Sequence, residues 1–180
     1  MYLVRASARW VSEMIIRPAA ANDLATIAEI AETTWLETFS VGLGPSDIQE
    51  ALACRDLAYF EKVFAEHQIL VASRAAAPGV IDGFVECIVS SHEMVIDKLY
   101  VTRERQGDGI GRRLMEQVLR QADLSELPAR LDVWVENPRA IGLYQSLGFE
   151  IYGERRFVNA AGEEMSPDLL MQRLPYRPMA

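Results

Sequence analysis

Residues 106–111 read Gln-Gly-Asp-Gly-Ile-Gly and place three glycines at alternate positions. The segment follows an apolar stretch typical of a strand, residues 99–101, and opens a stretch with helical spacing. Glycine costs backbone entropy, so an alternating run belongs where the backbone takes an unusual conformation or approaches another group closely. A helix N-terminus after such a turn can bind a phosphate through its exposed amides and its dipole.

Three phosphate-binding interpretations compete with a tight turn that binds no ligand. A P-loop needs Gly-Lys followed by Ser or Thr, whereas Gly111 is followed by Arg112 and Arg113. A Rossmann fingerprint needs two residues between its second and third glycines, where this segment has one, and it usually follows the first strand. The third interpretation is a pyrophosphate held at the helix N-terminus. Local charge favours it, because residues 103–113 contain four arginines against two acids.

A second group of residues with chemical potential lies in residues 135–149. Asn137 immediately precedes Pro138, which is the favoured order for an N-cap and the first residue of a helix. Tyr144 follows Asn137 by seven residues, close to two helical turns, so both lie on one helix face. Gly148 ends the helix. Each residue also has an ordinary interpretation, Asn137 as a simple cap and Tyr144 as a core aromatic.

The elements that position these two segments follow from hydrophobic periodicity. Their order is β-α-α-β-β-β-α-β-α-β-β, which predicts an α/β fold of the α+β type with a mixed sheet of about seven strands and about four flanking helices. One domain spans residues 14–174, after an N-terminal extension, residues 1–13, that fits no clear element. Strands are predicted from Met14 and at 68–73, 80–89, 93–101, 130–135, 149–157 and 168–174, and helices at 24–38, 46–65, 109–122 and from Pro138, with a break at 41–45.

Composition excludes several classes of function. The chain has 180 residues, 50% of them hydrophobic, and a formal net charge of −8, which argues against nucleic-acid binding. No apolar run is long enough to span a membrane, and arginines interrupt the first residues where a signal peptide would be apolar. The two cysteines and two histidines form no metal-ligand pattern, so we expect no metal site and a cytoplasmic protein.

Together the two segments resemble the GNAT superfamily of acetyl-CoA-dependent N-acetyltransferases. The pyrophosphate loop of that family has Gln or Arg, two residues, Gly, one residue, and Gly or Ala, and residues 106–111 match it position by position. The family's later signature is Asn, Tyr seven residues on, and Gly-Phe, which is met by Asn137, Tyr144, Gly148 and Phe149. The element order over residues 14–174 also matches the family. Residues 37–52, 130–137 and 168–174 are more specifically similar to the bacterial spermine/spermidine acetyltransferases.

The resemblance implies a splayed sheet and a set of acetyl-CoA contacts. The backbone of the central strand would pair with the pantetheine arm, the amides of the glycine turn would hold the pyrophosphate, and Arg112, with Arg103 or Arg105, would help to bind phosphate oxygens. Tyr144 would give a proton to the leaving thiolate, as a general acid. The implied cofactor-binding residues are Leu99, Tyr100, Val101, Gln106, Gly107, Asp108, Gly109, Ile110, Gly111, Arg112, Asn137 and Tyr144.

The general base and the acceptor site follow less directly. An alkylammonium must lose a proton before it attacks, and Glu86, Asp97 and Asp132 are the candidate bases, each of which could equally be an ordinary exposed or paired acid. Some GNAT members use a carboxylate five residues before the matched Asn, and Asp132 lies there. Trp35 and Phe39 could line the acceptor site, although their helical spacing also suits the core.

The acceptor class is predicted from charge. Residues 14–66 contain three basic and nine acidic residues, a balance that would attract a cationic amine or that could simply cover solvated helix faces. The main hypothesis is therefore acetylation of a small cationic amine. The alternatives are acetylation of a protein N-terminal or lysine amine, and an acetyl-CoA-binding module without turnover. The family resemblance adds a homodimer as a further expectation.

Overall fold

Strands and helices that alternate along the chain form one seven-stranded sheet with the order β1-β2-β3-β4-β5-β7-β6. The computed structural model describes residues 14–39 and 43–176. The predicted N-terminal extension, and the first two residues of the predicted helix break at 41–45, lie outside the described residues. The strands are β1 (Met14–Pro18), β2 (Gln68–Arg74), β3 (Ala77–Val89), β4 (Met94–Val101), β5 (Ala129–Trp134), β6 (Glu150–Arg155) and β7 (Asp168–Arg173).

The described residues form five α-helices, and helices that pack on both faces of this sheet confirm the predicted α/β class with a mixed sheet. They are α1 (Leu24–Phe39), α2 (Pro45–Leu52), α3 (Leu57–Val63), α4 (Ile110–Leu124) and α5 (Pro138–Ser146). The sequence predicts one helix over 46–65, whereas the structure has α2 and α3 there. The reason is local, because the Asp56 carboxylate accepts the Tyr59 amide at 2.8 Å and begins a new helix.

Two hydrophobic clusters form the core, one on each face of the sheet. On one face α4 packs Leu114, Met115 and Val118 against residues of β3 to β5 such as Val85 and Leu131. These α4 positions recur at helical spacing, as the amphipathic pattern predicts. On the other face, α1 and α3 cover β2 and β3, and the buried residues there include Ile27, Ala31, Phe60, Val71 and Phe84.

Strands β4 and β5 separate after a short contact. They are parallel and pair only at Met94 with Ala129 and at Val95 with Arg130. Beyond these pairs both strands continue for several residues without joining, so the sheet opens between them. The predicted splay of the central sheet is therefore present, and it creates space in the middle of the fold.

A β-bulge at Asp97 changes the side-chain pattern of β4 as it enters the open region. Cys87 of β3 pairs with Ile96, and Glu86 pairs with Lys98, so Asp97 is an extra residue without a partner on β3. A bulge bends a strand and reverses which residues face each side. Asp97 consequently interrupts the alternation that holds Ile96 in the core.

Close contact between β3 and β4 depends on one glycine. A Cβ atom added at Gly83 would lie 2.6 Å from the carbonyl oxygen of Tyr100. Gly83 therefore lets the backbone of β3 approach the part of β4 that borders the opening. Within the described residues, no helix is long and apolar enough to cross a membrane.

Candidate acetyl-CoA and acceptor site

The opening between β4 and β5 is a cavity of about 950 Å³. Its walls come from the separated parts of β4 and β5, from the glycine turn before α4, from α5 and from the C-terminal end of α1. Most of the predicted site residues line it. Those that do are Trp35, Phe39, Asp97, Leu99, Tyr100, Val101, Gln106, Gly107, Gly109, Ile110, Gly111, Arg112, Asp132, Asn137 and Tyr144.

The glycine turn presents backbone amides to this cavity. Gly107 and Gly109 have φ angles of 97° and 81°, in the left-handed region that only glycine adopts at little cost. Gly109 is the N-cap of α4 and accepts the Arg113 amide at 3.1 Å. The first-turn amides of a helix have no acceptor within the helix, so residues 110–112 offer donors at the positive end of the dipole. This geometry suits a pyrophosphate.

Two of the six predicted amides are already used. The Gln106 amide donates to the Arg103 carbonyl, and the Asp108 amide donates to the Arg105 carbonyl, each at 3.3 Å. The Asp108 carboxylate pairs with Arg105 at 3.0 Å, and Asp108 does not line the cavity. Asp108 therefore differs from the expectation, because its amide and carboxylate serve to close the turn.

Three arginines line the cavity beside the glycine turn, a region that we call the phosphate end, and the sequence analysis did not predict one of them. Arg112 donates to the Ser146 hydroxyl at 2.6 Å, and Arg105 pairs with Asp108. Arg139, in the first turn of α5, donates to the Gln106 side-chain carbonyl at 2.9 Å. Its position two residues after the Asn137 cap is the signal that could have identified it. Arg103 lies outside the cavity lining.

Asn137 and Tyr144 hold the positions that the helix pattern predicts. The Asn137 side-chain oxygen caps α5 by accepting the Ala140 amide at 3.1 Å, which leaves its NH₂ group for another partner. Tyr144 is 8% exposed and packs against the Phe149 ring at a centroid distance of 5.9 Å. Burial, with a smaller effect from Tyr100, raises the pKa of Tyr144. Tyr144 therefore keeps its proton at neutral pH while bordering the cavity.

The strand segment 99–101 offers one backbone edge to the cavity. Its other edge pairs with β3, at Val85, Phe84 and Gly83. The edge toward β5 borders the open region because β4 pairs with β5 only at Met94 and Val95. An extended ligand can lie along such an edge as an added strand.

The three predicted base candidates lie in different surroundings. Asp132 lines the cavity and pairs with Arg155 at 2.7 Å, and Asp97 also lines the cavity. Glu86 is fully buried, lies outside the cavity lining and pairs with Lys98 at 2.9 Å. A direct role for Glu86 as base does not fit this position, because an acceptor in the cavity cannot reach a sealed carboxylate.

One further carboxylate was missed by the sequence. Asp168, the first residue of β7, lines the cavity opposite Trp134 in the strand register. Burial and the nearby Asp132 raise the pKa of Asp168, and Arg155 opposes the shift. No local pattern marks Asp168, since only the pairing of β7 between β5 and β6 brings it to this wall.

Aromatic side chains form the wall at the end of α1. Trp35 and Phe39 stack at a centroid distance of 6.0 Å, and Phe39 contacts Trp134 at 5.4 Å. The Arg55 guanidinium lies 5.1 Å from the Trp35 ring centre and donates to the Tyr100 hydroxyl at 3.1 Å. Trp35 and Phe39 are thus both packed against neighbours and exposed to the cavity, as the two interpretations of their spacing each require.

The acidic residues of the range 14–66, which were predicted to attract a cationic acceptor, lie away from the cavity. None of the nine acidic residues within the range 14–66 lines the cavity. Several have structural roles instead, such as Asp23, which pairs with Arg17 at 2.6 Å, and Asp56, which caps α3. The carboxylates that do line the cavity are on or after β4 and β5 and at the start of β7, namely Asp97, Asp132, Glu136 and Asp168.

A metal site has no basis in the described part of the chain. No group of three or more His, Cys, Asp or Glu residues there lies close enough together to hold a metal ion. His67 contacts Glu86, with 2.6 Å between Nδ1 and Oε1.

Comparison with known proteins agrees with this architecture. Residues 65–151 match the family model of the acetyltransferase (GNAT) domain, and this matched segment carries the glycine turn, Asn137 and Tyr144. No curated protein sequence matches the chain significantly.

Solved structures with the same fold are acetyltransferases by name. The PaiA N-acetyltransferase of Thermoplasma acidophilum, in complex with coenzyme A, has a TM-score of 0.70 at 19% identity, with 89% of this chain and 98% of that chain covered. A putative acetyltransferase of Salmonella typhimurium with acetyl-CoA has 0.66 at 24% identity, covering 93% and 96%. A spermidine N-acetyltransferase variant of Vibrio cholerae has 0.64 at 21% identity, covering 91% and 94%. At these identities the likeness is one of fold.

Proposed function

We propose that this chain, which has the GNAT fold and a GNAT domain over residues 65–151, transfers an acetyl group from acetyl-CoA to a primary amine. The observation that carries the proposal is that three features line one cavity. These are the amides at the start of α4, the free edge of β4 and the protonated hydroxyl of Tyr144. Together they match the needs of a pyrophosphate, a pantetheine arm and a leaving thiolate.

The cofactor end of the cavity is suited to anionic phosphates. First-turn amides of α4 and the guanidinium groups of Arg112 and Arg139 lie on its lining. Amides at a helix N-terminus and arginine side chains are the groups that bind phosphate oxygens most effectively. The Asn137 amide group lies at the neighbouring helix start and completes this set.

The proposed reaction is a direct attack of the neutral amine nitrogen on the thioester carbonyl carbon. The carbonyl oxygen gains negative charge, which backbone amides of β4 can stabilise. As the C–S bond breaks, the sulfur takes the electron pair and Tyr144 supplies a proton, while the attacking nitrogen releases its extra proton to water, from which Tyr144 recovers the proton that it gave. A free thiol has a pKa of about 8.5, so at neutral pH the leaving thiolate takes up a proton.

We assign the acceptor to the class of small cationic amines. The part of the lining that we assign to the acceptor has three carboxylates, Asp97, Asp132 and Asp168, and two cations, Arg55 and Arg155. We call this part the acceptor wall. Carboxylates in a partly enclosed cleft raise the local concentration of cations. The aromatic rings of Trp35 and Phe39 add surface for the methylene groups or the charge of an alkylammonium. The fold shared with a spermidine N-acetyltransferase is consistent with this class.

A panel of acceptors tests this function. The protein is incubated with acetyl-CoA and with small mono-, di- and polyamines, amino acids, and peptides with free N-terminal or lysine amines, and the released CoA thiol is measured. The proposal predicts release with the small cationic amines. Release only with peptides would indicate a protein acetyltransferase. Tight acetyl-CoA binding without release for any amine would indicate a binding module.

A further inference from the structure

A largely buried group of polar side chains contacts Asp97, one carboxylate of the acceptor wall. Glu86 is at its centre and is 0% exposed. Its Oε1 atom accepts the Tyr59 hydroxyl at 2.7 Å and lies 2.6 Å from Nδ1 of His67, and its Oε2 atom lies 2.9 Å from Nζ of Lys98. The contact between Glu86 and Lys98 joins β3 to β4, because the two residues are direct partners in the strand register.

Lys98 is held by three oxygen-bearing side chains. Its ammonium contacts Oε2 of Glu86, donates to the Tyr59 hydroxyl at 2.9 Å and donates to the Asp97 carboxylate. Burial lowers the pKa of Lys98, but the negative charges of Asp97 and Glu86 raise it by more. The net pKa of Lys98 is therefore above its ordinary value, and the ammonium stays charged. Tyr59 and Asp97 accept hydrogen bonds from this ammonium, whereas Glu86 holds it by charge, since its Oε2 atom has no hydrogen-bond partner. The Lys98 side chain is therefore fixed.

Asp97 and Lys98 both line the cavity, and Asp97 is the one whose side chain is exposed there. Its side chain is 36% exposed and lines the acceptor wall, whereas that of Lys98 is 4% exposed. The β-bulge at Asp97 explains the arrangement, because it leaves Asp97 without a partner on β3. One carboxylate oxygen contacts Lys98, and the remaining acceptor positions are available to a ligand.

On the two sides of the opening between β4 and β5, carboxylates outnumber cations, so a cationic ligand would balance the charge. Glu86 and Asp97 share the single ammonium of Lys98 when His67 is neutral. On β5, Asp132 pairs with Arg155, and Asp168 lies close enough for its pKa to respond to both. Asp97 and Asp132 each lie two residues beyond the last pair of β4 with β5. Together with Arg55, which also lines the cavity, this gives four carboxylates against three cations.

We propose that Asp97 is the specificity-determining carboxylate that binds the ammonium group of the acceptor, and that Lys98 and Glu86 are its positioning residues. The proposal rests on the function proposed above. A buried ion pair costs desolvation, and a well-packed hydrophobic pair would stabilise the fold as well or better. What the charged pair adds is a fixed position for the Asp97 carboxylate at the cavity wall.

Binding of diaminobutane to the CoA-loaded protein tests this assignment without relying on turnover. Calorimetric titrations compare the wild type, Asp97→Asn and Glu61→Gln, with butanediol as the neutral probe. Glu61→Gln removes the same charge from an exposed position outside the cavity lining. We expect Asp97→Asn to bind diaminobutane roughly 10- to 100-fold more weakly, as for a lost hydrogen bond to a charged group. Glu61→Gln should bind it as the wild type does.

The positioning role is tested by the double variant Glu86→Gln with Lys98→Met. Changing both residues leaves no unpaired buried charge, and circular dichroism checks that the variant folds. We expect diaminobutane affinity to fall while CoA affinity and butanediol binding stay unchanged, a split that general loss of structure would not produce. Unchanged diaminobutane affinity in the double variant would overturn the positioning role.

The assignment of Asp97 is overturned by wild-type affinity for diaminobutane in Asp97→Asn, or by a wild type that binds no diaminobutane. Thiol release is measured separately. Diaminobutane binding that depends on Asp97, without thiol release, would support this assignment and contradict the proposed function. Thiol release by the wild type, together with normal diaminobutane binding by Asp97→Asn, would support the proposed function and contradict the assignment of Asp97.

Discussion

Tyr144 has the two properties that a proton donor to a thiolate requires. It borders the cavity, and burial raises its pKa so that the hydroxyl is protonated at neutral pH. The aromatic contact with Phe149 holds the ring in place. These facts make Tyr144 the side chain of the cavity with the most specific assignment in the proposed reaction.

Replacing Tyr144 by Phe should separate chemistry from binding. We expect kcat for acetyl transfer to fall by roughly 100-fold, within the range that general acid catalysis contributes. The Kd for acetyl-CoA should change little, because the ring and its packing remain. Steady-state kinetics and calorimetry measure the two quantities. Tyr152→Phe is the matched control, since Tyr152 is exposed on β6 and outside the cavity lining.

An unchanged kcat in Tyr144→Phe would remove this hydroxyl from the mechanism. A fall in kcat that Tyr152→Phe reproduces would point to general destabilisation instead.

At the scale of single residues, the sequence predicts what depends on local spacing. The seven-residue interval between Asn137 and Tyr144 correctly places both on the cavity wall, because a helix keeps that spacing wherever it packs. Local spacing could not predict whether Glu86 faces the cavity or the interior. Its alternation along β3 allows either face, and the contact with Lys98 that seals it arises only when β3 and β4 pair.

The glycine turn before α4 is the element to which the proposed function assigns the pyrophosphate. Gly109 caps the helix with a φ of 81°, and a Cβ atom added there would meet nothing within 4 Å. The requirement for glycine at this position is therefore conformational rather than steric. Its consequence is the direction in which the first amides of α4 point.

Alanine at Gly109 should weaken acetyl-CoA binding more than it weakens the fold. A non-glycine residue in the left-handed region costs about 1 kcal/mol, so stability falls modestly as the turn relaxes. Gly162→Ala is the matched control, because Gly162 has a φ of 80°, free space for a Cβ and a position outside the cavity lining. Denaturant unfolding should show similar losses for both variants.

Calorimetry should then show weaker acetyl-CoA binding for Gly109→Ala alone. Equal acetyl-CoA affinity in the two variants would mean that the turn does not hold the pyrophosphate.

The close approach of β3 to β4 at Gly83 gives a prediction about stability. Gly83→Ala would place a methyl group 2.6 Å from the Tyr100 carbonyl oxygen, so the two strands must move apart. Overpacking of this kind costs about 1–3 kcal/mol, and the loss should appear in the free energy of unfolding. Gly79→Ala, in the same strand with nothing within 4 Å, should cost much less. Equal stability of the two variants would contradict this account of the strand contact.

At the scale of the whole molecule, the order of elements was predictable and the distribution of charge was not. Alternating strands and amphipathic helices such as α4 carry their own periodicity, so the α/β class follows from the sequence. Acidic surplus over residues 14–66 suggested a cation site, yet those side chains cap helices or cover outer faces. The cavity takes its carboxylates from strands distant in sequence, as Asp97 and Asp168 show.

The central claim is that acetyl-CoA gives its acetyl group to an amine in this cavity. The most direct test uses acetyl-CoA labelled with carbon-13 in the acetyl group, with diaminobutane as acceptor, and follows both the free CoA thiol and the mass of the amine. The account predicts labelled acetyl on the amine nitrogen in equal amount to the released thiol, and loss of both signals in Tyr144→Phe. Bound acetyl-CoA with neither released thiol nor acetylated amine would contradict it.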